Sequence, residues 1–198
     1  MAKIDMQDIQ KLREKTGMGM LDCKKALEES DGNIEKAIEI LRKKGVAVAL
    51  KRSDKSTAEG LVHAYIHPGD QIGVLVEINC ETDFVARTRE LKDFANNICM
   101  QITAQKPLYL NPEDVDPKFL EHEKDIMKSQ LANSGKPEKI LNQIVEGKVN
   151  KLYSDICLLK QVYIKNDQLT IEQLLQELIA KTGENIKIKR FARFEVGE

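Results

Sequence analysis

The residues able to do chemistry in this 198-residue chain are few and badly placed for it. Cys23, Cys80, Cys99 and Cys157 are scattered with no C-x-x-C pair, so neither a zinc site nor a disulfide framework is written in their spacing. They read as small apolar thiols buried in a reducing compartment. His63 and His67 stand four apart in a strand-like run, on one face but about 13 Å from each other, too far to share a metal ion. His122 has no partner pattern of its own. The run Thr16 to Met20, "TGMGM", has two glycines but lacks the lysine and the preceding strand of a phosphate loop. It reads as a tight turn between helices that carries Met18 and Met20, either as an adaptable contact surface or as filler for a small core. No dinucleotide fingerprint and no Ser-His-Asp or Cys-His order can be assembled. These residues predict no catalytic group, no metal and no cofactor.

One stretch asks for a different explanation. In "INCETDFVAR", Ile78 to Arg87, an alternating strand ends and Phe84 follows directly on Glu81, Thr82 and Asp83. In one reading Thr82 or Asp83 caps a helix, and Phe84 joins Leu91, Phe94 and Ile98 on its buried stripe. In the other the turn is presented outward with Asp83 and Phe84 at its tip. A buried Phe is worth about 1.5–3 kcal/mol, so leaving it in water makes sense when a partner covers it.

The elements that must position these residues follow from periodicity. The first ~45 residues carry three helical patterns: Ile9 and Leu12; Met20, Cys23 and Leu27; and Ile34, Ala37, Ile38 and Leu41. Gly17 is the expected stop of the first helix, Asn33 the cap of the third and Gly45 the residue just past its end. Residues ~46–59 turn from apolar to polar and mark a boundary, so the expected domains are 1–54, a helical bundle with its linker, and 55–198, an α/β core. "LVHAYIH" and "IGVLVEI" are strands joined by "PGDQ", with Ile72, Val74, Val76 and Ile78 on one face. A helix through Leu91 to Ile102 follows, then a proline-rich break. Two helices, 118–130 and 137–158, come next and are expected to form a hairpin. A further helix is capped by Thr170 and stopped by Gly183, and Ile186 to Val196 close the chain as an edge strand of the same sheet.

Hydrophobic residues make up 41% and charged residues 32%, a globular composition with a heavily charged surface. Lys and Arg number 31 against 32 Asp and Glu, which argues against a protein that neutralises many phosphates. No run is long and apolar enough for a membrane helix, and the opening residues are too polar for a signal peptide, so a cytoplasmic protein is expected.

Four segments in order, "KLREKTGMGMLDCKKALEESDGNIEKAIEILRKKG", "VEINCETDFVAR", "SGKP" with "QIVEGKV", and "RFARFEVGE", resemble translation elongation factor Ts along nearly the whole chain. The likeness is to the short form of that family, with one copy of the core. It implies an α+β fold: a three-helix, ubiquitin-associated-like bundle followed by an α/β core with a small antiparallel sheet and a helical hairpin. It also implies a guanine nucleotide exchange factor whose partner is elongation factor Tu, the GTPase that carries aminoacyl-tRNA. The turn Thr82, Asp83, Phe84, Val85, Ala86 and Arg87 would meet that partner, with Phe84 wedged between partner side chains and Asp83 beside it. The partner's Mg²⁺ and phosphate loops would be disturbed, and GDP would leave. Arg87 stands where some members have lysine. The N-terminal module would touch the same partner domain through exposed positions Leu12, Met18, Gly19 and Met20. A homodimer formed through the sheet and its edge strand, giving a two-plus-two complex, is implied as well, with no nucleic acid or membrane bound directly. The alternative is a non-catalytic module that binds a helix or a ubiquitin-like surface, its second domain serving for dimerisation.

Overall fold

Helix boundaries follow the capping residues. In the computed structural model, which describes residues 4–131 and 137–198, α1 (Met6–Thr16) starts where the Asp5 carboxylate accepts from the Gln7 N–H at 3.4 Å. It stops at Gly17, whose φ of 67° favours glycine and whose N–H returns to the Arg13 carbonyl. Helix α2 is Met20–Glu29, and α3 is Ile34–Arg52 with the Asn33 side chain accepting from the Lys36 N–H at 3.0 Å. Ile9, Leu12, Cys23, Leu27, Ala37 and Leu41 close the bundle's core.

The end of α3 corrects the expectation from sequence. Gly45 is buried inside the helix, which runs on to Arg52. A Cβ at Gly45 would stand 3.4 Å from the Ala180 Cβ, so the missing side chain serves close packing rather than helix termination.

Strands β1 (Glu59–Ile66) and β2 (Ile72–Cys80) flank a turn closed by the His67 N–H on the Ile72 carbonyl at 2.9 Å. Val74, Val76, Ile78 and Cys80 are buried, as the period-2 pattern requires. Next come α4 (Asp83–Ala86) and α5 (Arg89–Gln105), then a 3-10 turn at Pro112–Asp114 in the proline-rich break. Helices α6 (Pro117–Leu131) and α7 (Glu138–Ile156) pack together. Residues 132–136, and with them most of the "SGKP" motif, lie outside the described residues. Strands β3 (Val162–Tyr163) and β4 (Asn166–Thr170) form an antiparallel hairpin. Then come α8 (Ile171–Thr182), stopped by Gly183 at φ 73°, and β5 (Ile186–Glu195). The sheet order is β1-β2-β5, so β5 is an edge strand, and the fold is α+β.

The chain divides into two units. Met1–His63, Val76–Asn96 and Gln173–Lys189 form the first, which holds the bundle, α4 and α8. In it the Arg42 guanidinium and the Glu177 carboxylate pair at 3.5 Å across α3 and α8. Ala64–Leu75, Asn97–Glu172 and Arg190–Glu198 form the second. Its β3–β4 hairpin is held by the fully buried Gln101, whose amide donates to Gln161 Oε1 and to the Val162 carbonyl, both at 3.1 Å, and accepts from the Ile164 N–H at 2.9 Å.

Within the first unit β2 leaves no room for a side chain on β1 at Gly60, where a Cβ would meet the Ile78 carbonyl oxygen at 2.2 Å. Gly60→Ala is expected to lower unfolding stability by about 3 kcal/mol or more, a backbone clash being dearer than ordinary overpacking. Urea unfolding of the variant beside the parent measures it, and an unchanged midpoint would contradict the packing described.

Candidate functional site

Thr82 ends an extended segment at φ −127°, ψ 154°, and its hydroxyl accepts from the Val85 N–H at 3.3 Å. That cap starts α4 only four residues long, and the chain turns at Arg87 before α5 begins. The break resets the helical register. Phe84 is therefore off the α5 stripe and is 77% exposed, while the next two residues, Val85 and Ala86, are buried at 6% and 8%. The core reading of Phe84 is excluded. Asp83 and Arg87 pair at 3.0 Å along one side of the short helix, both well exposed, a contact worth little energy that keeps their charges beside the ring. Of the six residues expected at this turn, Thr82, Asp83, Phe84 and Arg87 face outward, and Val85 and Ala86 anchor them.

Behind the turn stands a polar network that sequence reasoning missed. The Glu184 carboxylate takes both donors of Thr82, the hydroxyl at 2.7 Å and the N–H at 3.1 Å. The Glu81 carboxylate accepts from the Asn185 N–H at 2.6 Å and pairs with Arg52, the last residue of α3, at 3.4 Å. The buried Asn185 amide donates to the Ser53 and Lys55 carbonyls at 3.2 and 2.8 Å. The end of the bundle and the Thr82 to Arg87 turn are thus fastened to one two-residue segment. More than 100 residues separate Glu81 and Thr82 from Asn185 and Glu184 along the chain, so no local pattern announces them; Gly183 marks only the helix stop.

The N-terminal positions divide. Leu12 is fully buried in the bundle core, which corrects the expectation that it is exposed: it lies one helical turn from Ile9 on the inward stripe. Met18 and Met20 are half-buried against that core, and Gly19, exposed, precedes α2. Met18 also lines an apolar cleft with Leu41, Val46 and Ala180. Beside them Leu21 is exposed, at 63%, a position that a search for buried stripes passes over.

A model of the family described as elongation factor TS matches residues 6–198. The chain belongs to the elongation factor Ts family. It is 55% identical to elongation factor Ts of Caldanaerobacter subterraneus subsp. tengcongensis over 98% of both chains. It is 55% identical to that of Carboxydothermus hydrogenoformans, over 98% of this chain and 90% of the relative. Against that of Moorella thermoacetica it is 53% identical, over 96% and 94%. Translation elongation is the process this family serves, and this chain is one of its elongation factors.

In this elongation factor Ts family member the groups with latent reactivity are withdrawn from solvent. No cluster of three or more His, Cys, Asp or Glu able to hold a metal occurs among the described residues, and no helix among them is long and apolar enough to cross a membrane. All four cysteines are free and buried. Burial pushes the Cys99 thiol from 9.0 up to about 12. Cys157 rises to about 11 through burial, reinforced by the nearby Asp114 and Glu113 carboxylates. Cys80, under the Thr82 turn, is raised by burial first and by Glu184 second. A thiol that holds its proton more tightly when folded stabilises the fold below the unfolded value and loses that contribution as pH rises through the folded one. Stability is therefore expected to be level with respect to these thiols below pH 9 and to fall between pH 9.0 and about 12. At pH 8 iodoacetamide should leave all four cysteines unmodified in the folded chain and alkylate all four in urea, read by intact mass; rapid native alkylation would contradict the assignment.

Proposed function

We propose that this chain is a guanine nucleotide exchange factor for elongation factor Tu, with the turn Thr82 to Arg87 as its exchange element. The single observation that carries the reading is Phe84: a ring 77% exposed on a helix of four residues whose next two residues, Val85 and Ala86, are buried. Folding gains nothing from a ring left in water. Burial in a pocket of the partner supplies the missing term, and Asp83 and Arg87 give that contact a charged rim.

Exchange of this kind needs no nucleophile, acid or base from the factor. It needs a partner conformation that factor and nucleotide favour unequally. Whatever strain Phe84 and Asp83 impose on the partner's Mg²⁺ and phosphate loops weakens GDP, and by linkage the incoming nucleotide weakens the factor in return. The half-buried Met18 and Met20, with Gly19 between them and exposed Leu21 beside them, form the second contact, made by the bundle of residues 1–54. Leu12 shapes that surface from beneath. The core of residues 55–198 carries the exchange element and a dimer face. Ala64, Ile66, Gly73, Leu75, Phe194 and Val196 line one shallow apolar depression, and Ile66, Leu75, Phe194 and Val196 are 60%, 45%, 67% and 69% exposed. A second copy of the chain covers them, giving a two-plus-two complex in the cytoplasm.

Phe84→Ala is expected to change folding stability by no more than about 0.5 kcal/mol, as a surface substitution, and to cost about 2 kcal/mol or more at the partner. Release of fluorescent GDP from elongation factor Tu should then slow roughly 30-fold relative to the parent factor. Parent-like stimulation would remove Phe84 from the mechanism. For the dimer, Phe194→Glu should convert a dimeric parent to a monomer in sedimentation velocity, and a variant that stays dimeric would place the interface elsewhere.

A further inference from the structure

Thr82 uses every polar atom it has. Its hydroxyl accepts from Val85 and donates to Glu184 Oε1 at 2.7 Å, its N–H donates to Glu184 Oε2 at 3.1 Å, and its carbonyl accepts from the Ala86 N–H at 3.2 Å and the Cys80 thiol at 3.1 Å. A hydroxyl has one proton. Once that proton is committed to the carboxylate, the lone pairs face the Val85 N–H, so Glu184 selects the rotamer in which Thr82 caps α4. A single helical turn has no stability of its own. The cap therefore fixes the axis of α4, and the axis fixes where Phe84 points.

The two segments hold each other reciprocally. Glu184 binds Thr82, and Glu81 binds Asn185, so 81–82 and 184–185 each supply a carboxylate and each supply N–H donors to the other. Bonds to a carboxylate are the stronger kind, and four of the contacts around this clasp are of that type. The clasp holds exposed residues as well as buried ones, since Thr82, Asp83 and Phe84 are exposed while Val85, Ala86 and Asn185 are buried.

Resting on the exchange reading above, we propose that Glu184 is a positioning residue for nucleotide exchange: by holding both donors of Thr82 it sets the direction in which Phe84 leaves the surface. It touches neither the nucleotide nor the partner in this role and acts through Phe84.

The test is a double-mutant cycle on stimulated GDP release from elongation factor Tu. Glu184→Ala in the full chain is expected to slow release about tenfold, the equivalent of one charge-assisted hydrogen bond. Glu184→Gln, which keeps one acceptor oxygen, should fall between. In a Phe84→Ala background the further loss from Glu184→Ala should disappear, whereas a merely structural residue would slow both backgrounds by the same factor. Amide exchange supplies the second measurement: Glu184→Ala should speed exchange at Val85 and leave the amides of Leu91 to Ile102 unchanged. Parent-like release, an equal effect in both backgrounds, or unaltered protection at Val85 would each overturn the proposal. A parent chain that fails to accelerate GDP release would instead overturn the exchange reading, and this proposal with it.

Discussion

A helix of four residues cannot keep its own shape, and the bidentate grip of Glu184 on Thr82 is what gives α4 one. The surrounding architecture serves that grip. β2 delivers Glu81 and Thr82 at its end, α8 stops at Gly183 so that Glu184 and Asn185 face them, and α3 runs on to Arg52 to meet Glu81. The buried Val85 and Ala86 add an apolar anchor under the same turn. An aromatic ring held outward in this way is preorganised: little ordering entropy remains to be lost when a partner closes over it.

The chemistry of the site is correspondingly bare. Asp83 and Arg87 are paired with one another, the cysteine beneath the turn is buried, and its most exposed large apolar side chain is a hydrocarbon ring. On the proposed exchange reading, the work is a coupling free energy between two contacts on one partner.

Much of the fold was legible because caps and periodicities are local. Asn33 and Gly17 did what their types predict, and the stripe Val74, Val76 and Ile78 is buried as its alternation requires. Gly45 misled because a glycine inside a helix and one past its end look alike until the neighbour is known, here Ala180. The β3–β4 hairpin went unread: a strand of two residues has no periodicity to detect, and its anchor is Gln101, some 60 residues away. For Phe84 the stripe with Leu91, Phe94 and Ile98 was arithmetically sound, and only the turn at Arg87 broke it. Leu12 shows the opposite error, since family likeness suggested a surface position while the pairing with Ile9 already placed it inside. The Glu184 clasp could not be seen at all, because contacts across a hundred residues leave no trace in either local sequence.

The central claim is reciprocal weakening of factor and nucleotide on one partner, and its most direct test is the affinity of this chain for elongation factor Tu measured across a GDP titration. The account predicts that affinity falls as GDP saturates the partner, by the same factor by which saturating chain weakens GDP. Affinity that stays constant from nucleotide-free to GDP-saturated partner would contradict it.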